Sequence, residues 1–164
     1  MNKQLRQYCG LFCAIVTYYT VHEGAHLLCA LLMGVFKQIQ FMGLGIQIDV
    51  YAQAMTPAQL GIFCLVGSAA TALTGWILSA SANRITSAHT PVFMACMYYI
   101  TIAMLLIDPL YLSVLCSFFG GGDMNGISHL LPEAAARIIS GCVLAANALL
   151  FFRKVLPKYR KAFE

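Results

Sequence analysis

His22-Glu23-Gly24-Ala25-His26 places two imidazoles four residues apart with a carboxylate beside the first. On a helix both rings leave from one face and can grip a single Zn²⁺, while the glutamate is placed to act as a base on water activated there. The apolar run around the motif, from Tyr8 to Phe36, is long enough to cross a membrane. An ionisable group inside such a helix is costly and marks a functional position, and here three fall within five residues. The plainer alternative is a buried histidine pair bonded to neighbouring helices, with Glu23 as a neutral acid.

A catalytic zinc needs a third protein ligand and one open position. The candidates are Asp108, Asp123, His129 and Glu133. Depth favours Asp108, which precedes the end of its apolar span by about as many residues as His26 precedes the end of its own. Local sequence favours Asp123. In Gly120-Gly121-Gly122-Asp123-Met124-Asn125-Gly126, consecutive glycines free the backbone to fold back and carry a carboxylate into a helix bundle. Asn125 is a candidate for steadying a tetrahedral intermediate, against the alternative of an ordinary turn asparagine.

The elements that must hold these residues follow from composition. The 164 residues are 60% hydrophobic and 10% charged, with a mean hydropathy of +0.78, a balance that a water-facing surface would not tolerate. The expectation is an all-α polytopic protein of the cell membrane, one integral domain over residues 1–164. Four helices are expected at about 8–34, 58–81, 91–119 and 133–152. The second is rich in small residues from Gly67 to Gly75 and should pack centrally. Asp108-Pro109 interrupts the third, where a kink or partial unwinding is expected. Glu133 and Arg137 form an i, i+4 pair at the start of the fourth.

Between the first two helices, residues 37–42 and 46–51 alternate apolar and polar around Gly43-Leu44-Gly45, which predicts a β-hairpin over about 37–51 lying on or dipping into the membrane surface. Its open edge is a candidate for pairing with an unwound substrate, as against a simple amphipathic connector. The net charge of +4 comes mostly from the basic tail at 153–164, with Arg153, Lys154, Lys158, Arg160 and Lys161. Directly after an apolar helix, that cluster reads as an anchor against anionic lipid and not as a nucleic-acid site. The seven cysteines sit in apolar surroundings without a Cys-x-x-Cys and read as reduced space-fillers. The N-terminal stretch reads as an uncleaved anchor, since the apolar run continues past the motif. Counting basic residues puts Lys3, Arg6, Arg84 and the tail inside, and the loops bearing Asp49 and Asp123 outside. A five-span alternative would split the third helix at Asp108-Pro109.

His22-Glu23-Gly24-Ala25-His26 in a first core helix, then a β-like loop, a small-residue helix and an Asp-bearing glycine-rich break resemble the site-2 protease family of intramembrane zinc metalloproteases. The resemblance covers about Tyr8 to Leu131. It implies His22, His26 and Asp123 as ligands of one Zn²⁺, Glu23 as general base, and a membrane protein with a transmembrane helix as substrate. The chain departs from the family pattern in having Met124-Asn125-Gly126 after Asp123 and no prolines just upstream. Two other functions fit the same residues: a non-catalytic zinc-binding membrane protein, and a subunit that conducts protons or ions.

Overall fold

The computed structural model describes residues 2–43, 45–88, 90–118 and 122–163. The chain runs through α1 (Lys3–Leu32), a hairpin of β1 (Phe36–Met42) and β2 (Gly45–Val50), α2 (Pro57–Ala80), the short α3 (Ala82–Thr86), α4 (Pro91–Ser113), α5 (Gly122–Ile127), α6 (Glu133–Leu150), a π turn (Phe151–Val155) and α7 (Leu156–Phe163). Helix α4 is the central element and packs against α1, α2 and α6.

Three helical stretches among the described residues are long and apolar enough to cross a membrane: Pro57–Ala80, Pro91–Ser113 and Glu133–Phe163, with mean hydropathy of 1.7 to 1.8. Helix α1 has the length, at 30 residues, but Thr20, His22, Glu23 and His26 interrupt its apolar run. Large apolar side chains face outward around the bundle, among them Phe12, Leu32, Leu73, Phe118 and Ile138.

Hydrogen-bond chemistry sets the element boundaries. Pro57 occupies the first turn of α2, where a missing N–H costs nothing, and Thr56 and Gln59 close a reciprocal capping box ahead of it. In the hairpin Ile39 stands opposite Ile48 and Phe41 opposite Ile46, so one face is apolar, while Gln38, Gln40, Gln47 and Asp49 share the other. Lys37 Nζ donates to Asp49 on that polar face at 2.8 Å. This ion pair holds the Asp49 carboxyl below, and the Lys37 amine above, their ordinary pKa values.

Pro109 does not split α4, which runs on to Ser113. A proline inside a helix removes the bond to the carbonyl four residues back, here that of Leu105. Asn147 of α6 replaces it: its Nδ2 donates to the Leu105 oxygen at 2.8 Å, and its Oδ1 accepts from Trp76 Nε1 of α2 at 3.0 Å. Three helices are thereby tied at the proline. The helix ends at Ser113 and not at the expected 119, and a 3₁₀ turn follows at Leu115–Ser117.

The helix expected over 133–152 continues through the π turn into α7. That wider turn falls just ahead of Pro157, whose ring would clash with the Arg153 carbonyl in a regular α-helix. The tail is therefore folded, with Tyr159 1% exposed in a core shared with Ala82, Ile85, Leu105, Phe151 and Val155.

Candidate metal centre

Tyr18, His22 and His26 recur every four residues on α1 and so stand on one face of the helix. The Tyr18 and His22 rings stack with centroids 5.5 Å apart, those of His22 and His26 lie 4.8 Å apart, and His26 rests on Phe63 of α2. Helix α2 approaches closely through Gly67. A Cβ at that position would lie 2.5 Å from His26 Nε2 and 2.8 Å from His22 Nε2. Glycine leaves that volume to the two ring nitrogens.

Asp123 enters in the first turn of α5. Gly120 and Gly121 of the glycine-rich break lie outside the described residues. Gly122 has φ +39°, a left-handed conformation that a side chain disfavours. The Asp123 Oδ2 then lies 3.3 Å from His22 Nε2 and 3.5 Å from His26 Nε2, and the two Nε2 atoms are 3.2 Å apart. With zinc–ligand bonds of about 2.0–2.1 Å at a tetrahedral angle, neighbouring ligand atoms stand about 3.3–3.4 Å apart. All three edges match that spacing to within about 0.2 Å. Among the described residues the group is two imidazoles and one carboxylate, a donor set that could hold a metal ion and leave a coordination position open.

Asp108 takes the other nitrogen of the same ring. Its Oδ2 lies 3.3 Å from His22 Nδ1, and the carboxylate also accepts hydrogen bonds from the Tyr18 and Thr71 hydroxyls. Asp108 is 2% exposed. With two hydroxyls donating to it, an ionised Asp108 is an acceptor toward His22 and favours the tautomer protonated at Nδ1, whose Nε2 lone pair faces Asp123 and His26. Two lone-pair-bearing atoms 3.3 Å apart repel unless a proton or a cation lies between them. Of the candidate third ligands, Asp123 and Asp108 thus both reach His22, but from opposite sides of its ring.

Glu23, one residue on, turns to an adjoining face of α1. Its Oε2 accepts from the backbone N–H of Ile48 at 3.3 Å. Since Ile48 gives its N–H to α1, that edge of β2 faces Glu23 and not β1. Between α1 and the apolar hairpin face runs a cavity of about 440 Å³, with Tyr19, Leu27, Ile39, Phe41 and Ile46 in its walls. Glu23 is the sole charged residue among those lining it. The carboxylate therefore stands between the imidazole pair and an apolar groove.

Three further sequence candidates are Asn125, His129 and Glu133, of which Asn125 shares α5 with Asp123. Asn125 and His129 are exposed, and Glu133 is paired with Arg137 at 2.9 Å. Tyr18, Thr71 and Gly67 belong to the site without having been singled out from sequence. Their signal was present: Tyr18 precedes His22 by one helical turn, and Gly67 and Thr71 are one turn apart on the small-residue helix.

No family model, curated protein or solved structure matches this chain.

Proposed function

We propose that the chain is an intramembrane zinc endopeptidase, a four-span protein of the cell membrane in which α1 is the additional span. The substrate is a membrane protein, cut in or near a transmembrane helix. The observation that carries this reading is the triangle of His22 Nε2, His26 Nε2 and Asp123 Oδ2, whose edges of 3.2, 3.3 and 3.5 Å suit one tetrahedral cation.

His22, His26 and Asp123 would hold the ion, and Asp108 would fix the tautomer and orientation of His22 through Nδ1. A bound zinc ion supplies Lewis-acid polarisation of the scissile carbonyl and lowers the pKa of water. Glu23 takes a proton from the attacking water as its oxygen adds to the carbonyl carbon, then passes that proton to the amine as the C–N bond breaks. The products are a carboxylate and an amine. A metal site with a purely structural role has no use for a carboxylate beside its ligands, and Glu23 faces the groove where a substrate would lie.

A helical substrate hides its carbonyls in its own hydrogen bonds and must unwind locally before attack. The outer edge of β2 runs beside Glu23, which accepts the Ile48 N–H there, and an extended segment would pair along that edge in the place of this contact.

The test is metal analysis and cleavage of a panel of single-span substrates by the purified protein and by Glu23→Gln. Wild type is expected to carry about one zinc per chain and to cleave, and Glu23→Gln to keep the zinc without cleaving. Zinc without cleavage in wild type favours a non-catalytic metal protein. Absence of zinc favours a proton- or ion-conducting subunit.

A further inference from the structure

The α1 wall of the groove beside Glu23 is a stripe in which Val16, Thr20, Gly24 and Leu27 follow one another at helical spacing. Gly24 is the one member without a side chain, and it interrupts the stripe next to Glu23. Glycine inside a helix is destabilising relative to alanine, so each such glycine calls for a reason. Packing supplies one for the other glycines of α1 and α2. A Cβ at Gly10, Gly61, Gly67 or Gly75 would come 2.5, 2.4, 2.5 or 2.8 Å from a side chain of another segment or of α1 itself. At Gly24 it would meet nothing within 4 Å. The contacts of the fold thus give no reason for this glycine, and the space beside it belongs to the groove.

The facing wall is the apolar side of the hairpin, with Ile39, Phe41, Ile46 and Ile48. Ile48 turns its N–H away from β1 and toward Glu23. Outward-facing backbone groups fall on every second residue of an antiparallel strand, so Ile46 presents its own N–H and C=O along the same edge. Backbone partners beside apolar walls suit an extended peptide, whereas an acyl chain has no use for them. In a segment added to that edge, alternate side chains would point to the face that carries Ile46 and Ile48.

Resting on the endopeptidase reading above, we propose that the groove is the specificity pocket of the site. It takes apolar side chains from alternate positions of an extended substrate segment, and Gly24 sets the size of the one nearest the scissile bond. Gly24 directly follows Glu23, so the side chain lodged against it belongs to a residue adjoining the bond on which Glu23 acts. The gap left by the glycine admits a large side chain such as Leu or Phe. A substrate Lys or Asp is disfavoured there, because an unpaired charge is costly to bury between apolar walls.

The test uses single-span peptides in which each position around the cleavage site is in turn Ala, Leu, Phe or Lys, with cleavage by the full chain measured as kcat/KM. Wild type is expected to favour Leu and Phe over Ala by about tenfold or more at alternate positions, and to reject Lys there. Gly24→Leu should lose that preference at the position nearest the bond while cleaving the Ala peptides at close to the wild-type rate. Gly24→Ala should fall between the two. Binding is read separately by photo-crosslinking the same peptides to a benzophenone side chain in place of Tyr19, which also lines the groove. Crosslinks should follow the same ranking and weaken in Gly24→Leu for the Leu and Phe peptides. Selective crosslinking without cleavage would sustain the pocket and overturn the endopeptidase reading. An unchanged ranking in Gly24→Leu, equal loss of the Ala and Leu peptides, or crosslinks indifferent to the side chain would each overturn the pocket.

Discussion

Asp108 on α4 meets His22 on α1 at Nδ1, 3.3 Å away, while the opposite nitrogen of the same ring faces Asp123. The two aspartates therefore have separable consequences. Asp108→Asn keeps an acceptor for His22 but replaces the other carboxylate oxygen with a donor. The expected result is stoichiometric zinc at saturating metal, with affinity or activity reduced about 10- to 100-fold. Asp123→Asn should instead lose most of the metal together with cleavage. Zinc titration of the two purified variants decides between them, and the reverse ranking would make Asp108 the ligand.

Gly67 is the point where α2 clears the imidazole pair. Gly67→Ala would put a methyl group 2.5 Å from His26 Nε2, so the rings or α2 must move. Displacements of about 1 Å near reacting groups cost on the order of a hundredfold in rate. A comparable loss of cleavage is expected, with weakened zinc binding, while Gly141→Ala on α6, where the added Cβ would meet Ser113 Cβ at an ordinary 3.8 Å, should retain both. Equal effects at the two positions would sink the steric account.

Asn147 tests the bridge at Pro109. Asn147→Leu leaves the Leu105 carbonyl and the Trp76 indole N–H without their partner, a loss of about 1–3 kcal/mol for a buried acceptor. Lower thermal stability in detergent is expected with the zinc content unchanged. Combining it with Pro109→Ala, which restores a backbone donor to Leu105, should recover part of that loss. If the double variant is no more stable than Asn147→Leu alone, the carbonyl is not what the asparagine serves.

Membrane orientation is open to a labelling experiment once the native cysteines have been replaced. The basic end of the bundle predicts that a cysteine at the exposed Gln47 reacts with an impermeant thiol reagent in intact cells, and that one at the exposed Ser87 reacts after permeabilisation. Reversed labels would place the hairpin and the metal centre on the cytoplasmic side.

Much of the architecture was legible because it rests on short periods. Alternation marked the two strands, and the spacing of four marked the histidine pair. The glycine-rich break pointed to Asp123. What escaped was azimuth. Counting residues along the third span puts Asp108 at about the height of His26 but says nothing about which imidazole or which ring nitrogen it faces, since that depends on how three helices are rotated against one another. The same limit hid Asn147, whose partner is a carbonyl released by a proline on a different helix. The three helices long and apolar enough to cross a membrane were legible from their hydropathy. Helix α1 is not among them, because the polar and charged residues of its motif lower its hydropathy.

The π turn at Phe151–Val155 amounts to one residue more than a regular helix would use, and this has a bearing on how the chain could vary. Removing a single residue there would rotate everything downstream by about 100°. Tyr159 would leave its core, and Phe163 would no longer lie beside Arg6. Substitutions along the tail alter one contact at a time, whereas a change in its length alters all of them together. The phase of α7 is thus set by a residue count and not by any one side chain, so natural variants of this segment are expected to preserve spacing more strictly than identity.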